Sequence, residues 1–324
     1  ISTDELEQRI GLHISNIEVF EQTNYDFNIL AAQSDGQMLL KFIYNGQRFT
    51  SDLIQGISGH LIKMMEQISA DPGIVVNQLE IVTDEEKQRL LNQFNPEQCH
   101  KPYTQSIAEV FESWAECQKD SIASVSGDDQ LTYKQLNEKA NQLARHLQAK
   151  GIREERSVAL VLDRSIEMIV AMLAVLKAGG AYLPIDPQFP AERIGFLLKD
   201  AGVQLVLTQA QLMNVYPWRV EAIPVDDSSL YQGDASNLPP QSDGQTLALI
   251  QYTSGSTGNP KGNLTTHANV LRTVVKPNYV NIREQDRILQ LSNYIFDGSI
   301  FDIYGALLNG ARLVLIKREE MLDM

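Results

Sequence analysis

The chain has 324 residues, 43% of them hydrophobic, and a formal net charge of -14 from 41 acidic and 27 basic side chains. That length suits about two domains, and the composition excludes wholesale disorder. The acidic balance argues against a nucleic-acid partner, which needs basic patches, while one loop with one Lys can still hold a small phosphate ligand.

Residues 1–82 read as one unit. "QMLLKFIYNGQRF" (37–49) predicts a strand closed by the turn-forming Asn45-Gly46. In 51–68 the apolar positions 53, 54, 57, 61, 64, 65 and 68 form a helical stripe, broken by Asp71-Pro72-Gly73. Thr83 with Glu86 three residues on is a capping box and predicts a short helix. Residues 83–106 are taken as a linker, because "NPEQCHKPYTQS" (95–106) is polar with two prolines.

From about residue 107 the rhythm changes. Thr132 and Gln135 cap a helix carrying Leu136, Ala140, Leu143, Ala144 and Leu147 on one face, and Gly151 stops it. "SVALVL" (157–162) is a continuous apolar run, as a buried parallel strand requires. A helix to Lys177 or Ala178, the Gly179-Gly180 pair, a helix near 191–200 and a strand at 203–208 follow. After a polar loop at 226–245 come a strand at 247–253, a helix near 265–275, a strand at 287–292, a helix near 298–308 and a strand at 312–317. Alternating strands and helices predict an α/β domain with a mainly parallel sheet and flanking helices, here over 107–324. No repeat or low-complexity tract is visible.

Cys99 and Cys117 do not form a disulfide framework, and a reducing cytoplasm suits them. Cys99-His100 lacks a second ligand pair, so no metal site is expected. No window approaches the ~20 apolar residues of a membrane span, and the polar start "ISTDELEQRI" is unlike a signal peptide. The start without Met and the end just past a strand-like run suggest a piece of a longer protein.

The strip "YTSGSTGNPKG" (252–262) is rich in glycine and hydroxyls and ends in Lys-Gly. A strand, a glycine-rich loop and then a helix would aim backbone N–H groups at phosphate oxygens, with Ser254, Ser256, Thr257 and Lys261 adding donors and charge. In open parallel sheets ligands gather at the carboxyl ends of strands, where this loop would lie. It is not a nucleotide P-loop, since Pro260 precedes Lys261 and Gly262 follows it, and Gly255, Gly258 and Gly262 do not have dinucleotide-fingerprint spacing. On pattern alone a surface loop of turn residues is as good a reading.

Four stretches in order decide between the two. "LTYKQL" (131–136), "LKAGGAYLPIDP" (176–187), "YTSGSTGNPKG" and "FDGS" (296–299) resemble the signature motifs of the adenylation domains of nonribosomal peptide synthetases, members of the adenylate-forming enzymes. Upstream, "NYDFNI" (24–29) and "LEIVTDEEKQRLL" (79–91) resemble the C-terminal end of a condensation domain, an α+β remnant over 1–82. The resemblance implies ATP-dependent activation of an amino acid to an aminoacyl-adenylate, with Mg²⁺, and transfer to a phosphopantetheine thiol on a carrier domain. Thr253, Ser254, Gly255, Ser256, Thr257, Gly258 and Lys261 would bind the ATP phosphates. Asp297 would hold the substrate ammonium, with Gly298 and Phe301 flanking its side chain, although Asp297 is also a good helix cap and Phe301 also suits helix packing. A start of Asp-Gly-Phe type, with no charged group in view, suggests a branched aliphatic substrate.

"LKAGGAYLPIDP" reads as structural: a helix stop, a tight turn and a strand. His13, His60, His100, His146 and His267 are isolated, so condensation chemistry is not expected here. By the resemblance, the nucleoside contacts and the catalytic Lys of the family lie after residue 324, and the piece alone is expected to be inactive. A stand-alone acid–CoA or carrier-protein ligase, or a non-catalytic condensation–adenylation platform, are the other readings.

Overall fold

The computed structural model describes residues 24–34, 36–93, 103–253 and 260–316. The chain divides into two units, residues 1–100 and 101–324.

In the first unit, β1 (Phe27–Ser34) and β2 (Gln37–Tyr44) form an antiparallel hairpin with Phe27 opposite Tyr44 and Ser34 opposite Gln37. Gly36 adopts φ +77°, the left-handed backbone that tight hairpin turns demand. The strand β2 ends at Tyr44, directly before the expected Asn45-Gly46 turn, where the Asn45 side chain takes the Gln47 N–H at 3.0 Å and turns the chain. Phe27 packs on Phe42 and Phe49.

Helix α1 (Ser51–Ala70) begins at Thr50, whose hydroxyl accepts from Leu53 N–H. Its apolar stripe is only partly covered: Ile54 is buried, while Leu53 and Ile68 remain exposed. The chain then turns at Asp71, whose carboxylate accepts the Gly73 N–H, and runs back along the helix. There Gln67 imitates a strand neighbour, donating to Glu80 O and accepting from Glu80 N–H at 2.8 and 3.0 Å. Helix α2 (Asp84–Asn92) is capped by Thr83, but the capping box is only half formed. The Glu86 carboxylate turns to His60 at 2.5 Å, which holds its pKa below the usual range, and Lys63 bonds Asp84 at 2.9 Å. These contacts tie α2 to α1.

The second unit is built on two sheets. The larger has the order β10-β9-β6-β5-β7-β8, comprising β5 (Ser157–Val161), β6 (Ala181–Ile185), β7 (Leu205–Thr208), β8 (Glu221–Pro224), β9 (Leu247–Thr253) and β10 (Lys261–Thr266). All but β10 run parallel. The smaller has the order β11-β12-β3-β4, joining β3 (Ile122–Ser126) and β4 (Asp129–Thr132) to β11 (Arg287–Gln290) and β12 (Arg312–Leu315).

Residues alternate between the two faces of the larger sheet. Val158, Leu160, Tyr182 and Leu249 enter one apolar cluster, while Ala159, Val161, Leu183 and Ile250 enter another. The second cluster is completed by Ile194 and Leu197 of α6 (Ala191–Asp200). The first is filled by α5 (Ile166–Lys177), which packs against both sheets. This helix is apolar almost all round, and every residue except Glu167 is buried, as expected of a helix enclosed on all sides. Helices α3 (Ile107–Cys117) and α4 (Tyr133–Ala149) cover it, both with full capping boxes, Ser106/Glu109 and Thr132/Gln135. Lys177, at the end of α5, is buried against Glu112 of α3.

The residues of "LKAGGAYLPIDP" end α5, turn at Gly179 (φ +91°) and form β6. A Cβ at Gly180 would stand 2.9 Å from Arg156 O, so the two segments approach too closely for any side chain. The sequence reading did not include α3, the β3–β4 hairpin or β8.

Candidate active site

The strip lies at the carboxyl end of β9, in register with the carboxyl ends of β5 and β6 because those strands run parallel. Residues 254–259, and with them Ser254, Gly255, Ser256, Thr257 and Gly258, fall outside the described residues. Thr253 and Lys261 face each other at the base of the loop, paired across β9 and β10, and both are exposed.

This corrects one expectation. The strip joins two antiparallel strands rather than leading from a strand into a helix. Gly262 leaves room for its cross-strand neighbour, since a Cβ there would press on the Tyr252 ring at 3.2 Å. Helix α7 (His267–Val274) starts only after β10, with its own capping box of Thr266 and Asn269. Among the described residues, no helix starts directly behind the strip.

Asp297 immediately precedes α8 (Gly298–Leu307). It does not cap that helix. Its backbone is helical (φ -60°, ψ -32°) rather than extended, and its carboxylate makes no cap hydrogen bond. The side chain is exposed. Gly298 has a packing reason of its own: a Cβ there would meet the Ser292 hydroxyl at 2.7 Å. Phe301 is half-buried, tilted against the Tyr279 ring with centroids 6.1 Å apart, and packs on the main core. A cavity of about 370 Å³ opens beside Tyr279, lined also by Lys276, Asn278, Asn281, Ile282 and Asn309.

The segment leading to Asp297 is fixed from several sides. Arg164, just after β5, donates to Gln290 O and Leu291 O at 3.1 and 2.9 Å. Asp302 of α8 accepts from the N–H groups of Leu291 and Ser292, which ends β11 at Gln290 rather than at the predicted 292. The Tyr294 phenol donates to Ile185 O at the end of β6 and accepts from Leu162 N–H just past β5. Burial pushes its pKa up, so it stays a donor. Asn293 donates to Asp186, the residue after β6, at 3.0 Å. Thus the turn bearing Asp297 is seated on the carboxyl ends of β5 and β6, and β6 is the neighbour of β9. Asp186, Asn293 and Tyr294 were not singled out from the sequence. The position of Asp186 after a buried strand, where a charge needs a partner, was the available signal.

Among the described residues no group of three or more His, Cys, Asp and Glu side chains could hold a metal ion. Cys117 is an exposed free thiol, while Cys99 and His100, like His13, fall outside the described residues. No helix among the described residues is long and apolar enough to cross a membrane.

The larger sheet is mainly parallel, and the turn bearing Asp297 sits at the carboxyl ends of β5 and β6. The AMP-binding enzyme family model matches residues 111–324, and the condensation domain model matches residues 1–91. The chain belongs to the AMP-binding enzyme family, with a condensation-domain segment before it.

Its relatives are nonribosomal peptide synthetases. It is 40% identical to gramicidin S synthase 2 of Brevibacillus brevis over 93% of this chain and 7% of that protein. With bacitracin synthase 3 of Bacillus licheniformis the identity is 42%, over 97% of this chain and 5% of the synthase. The chain thus spans a small fraction of the length of these relatives. Among solved structures, the nonribosomal peptide synthetase FmoA3 matches with a TM-score of 0.77 at 27% identity, covering 93% of this chain and 32% of that one. The N-terminal subdomain of Klebsiella oxytoca NpsA in complex with 3-hydroxybenzoyl-AMSN matches with a TM-score of 0.60 at 28% identity, over 66% of this chain and 54% of that one.

Proposed function

We propose that this chain is part of a synthetase module that condenses an amino-acid carboxylate with ATP to give aminoacyl-AMP and pyrophosphate, and then passes the aminoacyl group to a phosphopantetheine thiol on a carrier domain. We assign residues 1–82 to the condensation end, 83–106 to the linker and 107–324 to the adenylation core. The observation that carries the reading is Asp297: an exposed carboxylate, free of any capping duty, held on the same sheet edge as the strip.

In this reading Asp297 pairs with the α-ammonium. The hydroxyls and amides of 253–258 and the charge of Lys261 hold the triphosphate. Their work is positioning and charge stabilisation, because the attacking carboxylate and the phosphates repel each other. Mg²⁺ suits this arrangement as a companion of the phosphates, since it is commonly held by few protein groups plus substrate oxygens. Phe301 presents an apolar wall beside the small Gly298, which favours a branched aliphatic amino acid such as Ile, Val or Leu. A clear preference for Asp, Glu, Lys or Arg in a substrate panel would refute that choice.

The test is amino-acid-dependent ATP–pyrophosphate exchange by the full-length protein. Breaking one side of a desolvated ion pair costs roughly 3–5 kcal/mol, so Asp297→Ala should lose about two to three decades in amino-acid use. Unchanged amino-acid use would overturn the reading. Lys261→Ala should weaken ATP handling more than amino-acid binding.

A further inference from the structure

We propose that Asp186 and Asn293 form a positioning pair that sets the height of Asp297 over the sheet edge, and so governs amino-acid affinity rather than ATP affinity. The proposal rests on the reading of Asp297 given above.

The pair joins two segments far apart in sequence. Asp186 follows β6 directly and is nearly buried, at 9% exposure. One carboxylate oxygen accepts the Gln188 N–H at 2.9 Å and shapes the loop after the strand. The other accepts the Asn293 side-chain N–H at 3.0 Å. Asn293 in turn uses its own side-chain oxygen to accept Ile295 N–H at 3.3 Å, and its backbone carbonyl accepts Phe296 N–H at 2.9 Å. A turn over 293–296 is closed this way, and Asp297 is the next residue.

Past Asp297, Ser299 donates its hydroxyl back to Phe296 O, at 2.6 Å, so the turn runs into α8 without slack. Tyr294 fixes the turn from below, and Arg164 and Asp302 hold the residues that lead into it, at 290–292. Within the turn itself Asn293 is the residue whose side chain reaches the loop after β6, and that tie sets the direction in which the turn faces. The Asp297 carbonyl accepts Ile300 N–H at 2.9 Å, but its carboxylate makes no cap hydrogen bond, so the position of the carboxylate follows the backbone of the turn and the start of α8. The carboxylate of Asp186 matters as an acceptor for Asn293; the pair is polarised, with the donor on the turn and the acceptor on the strand.

This polarity supplies the experiment. In the full-length protein, Asp186→Asn, Asn293→Asp and the doubly swapped variant are compared in ATP–pyrophosphate exchange, with thermal melting alongside. Displacing a binding group by about 1 Å can cost up to ~100-fold, so each single change should raise the amino-acid KM by about ten- to a hundredfold while the ATP KM stays within about twofold. In the swapped variant the donor sits at 186 and the acceptor at 293, and the amino-acid KM should return to within about threefold of the parent. Equal rises in both KM values, or a folded swapped variant no better than the single changes, would overturn the proposal. If a single variant fails to fold, the swapped variant decides on the same criterion. Asp297→Asn, run in parallel, separates the two claims. A normal amino-acid KM in that variant refutes the role of Asp297 itself. A damaged one, with Asp186 and Asn293 variants unaffected, refutes only the positioning pair.

Discussion

Between residues 103 and 316 dozens of apolar side chains are fully enclosed, whereas between residues 24 and 93 no described hydrophobic residue is, and Ile54 alone comes close at 5% exposure. Val76 is 84% exposed and Met38 63%, and both belong to the first unit. The second unit is held mainly by removing apolar surface from water. Among the described residues of the first, α1 is tied to the segment after it by polar contacts: Lys63 to Asp84, His60 to Glu86, Gln67 to Glu80. The lesson is that similar helices in one chain answer to different forces, and mutations should report which.

The largest effect is expected at the ion pair inside the second unit. Glu112→Ala leaves Lys177 buried without its partner and should cost roughly 3–5 kcal/mol at neutral pH, measured by denaturant unfolding. Burial holds the Lys177 pKa down at about 8 despite Glu112. Above that pH the folded lysine is neutral, so the penalty of Glu112→Ala should shrink as pH rises past 8. A penalty constant from pH 6 to 10 would mean the pair contributes by packing and not by charge.

A second break is by acid. His267 is fully enclosed, and its Nδ1 accepts the first N–H of α3, from Ile107, at 3.0 Å. Burial lowers its pKa to about 4, against 6.5 when exposed. The unfolded chain therefore takes up this proton first as pH falls. The stability that neutral His267 confers is whole above 6.5 and is lost progressively down to 4, on the order of 3 kcal/mol. His267→Asn should flatten that slope relative to the parent; parallel slopes would place the acid sensitivity elsewhere.

The first unit should answer more weakly. Thr83→Ala removes the cap of α2 and should cost about 1 kcal/mol, read in whichever unfolding transition follows α1 and α2. Smallest of all, Met38→Ser on the open hairpin should stay within about 0.5 kcal/mol. A loss of several kcal/mol there would show that the hairpin's apolar face is covered in solution.

Much of this was legible in the sequence, and the misses have physical reasons. The long stripe of 136–147 and the apolar run of 157–162 carry their own period, and both elements stand where expected. The β3–β4 hairpin was missed because "IASVS" and "DQLT" are short, and β3 gains its order from β12 far along the chain. The edge strand β10 was missed because Lys261, Gly262 and Asn263 have weak strand preference, and β9 supplies the template. At the site, the local string "FDGS" located Asp297 but also suggested a cap. The helical backbone of Asp297 and its missing cap hydrogen bond remove that reading, and no local pattern encodes either. Asp186 and Asn293 meet across 107 positions, a pairing invisible to any window.

The smaller sheet has a consequence in time. Its hairpin, β3 and β4, belongs to the start of the second unit, and its partner β12 to the end, with Ser124 beside Leu313. A ribosome adds roughly 5–20 residues per second, so about 10–40 s separate the emergence of the two. Throughout that interval one edge of β3 is open, with its backbone groups free to pair with a neighbouring nascent chain. The Tyr133 hydroxyl, which finally bonds Ala311 O at 2.7 Å, waits as long for its acceptor. A unit built this way is therefore most exposed to misassembly while it is being made, and crowded translation of many copies is where that exposure would be felt.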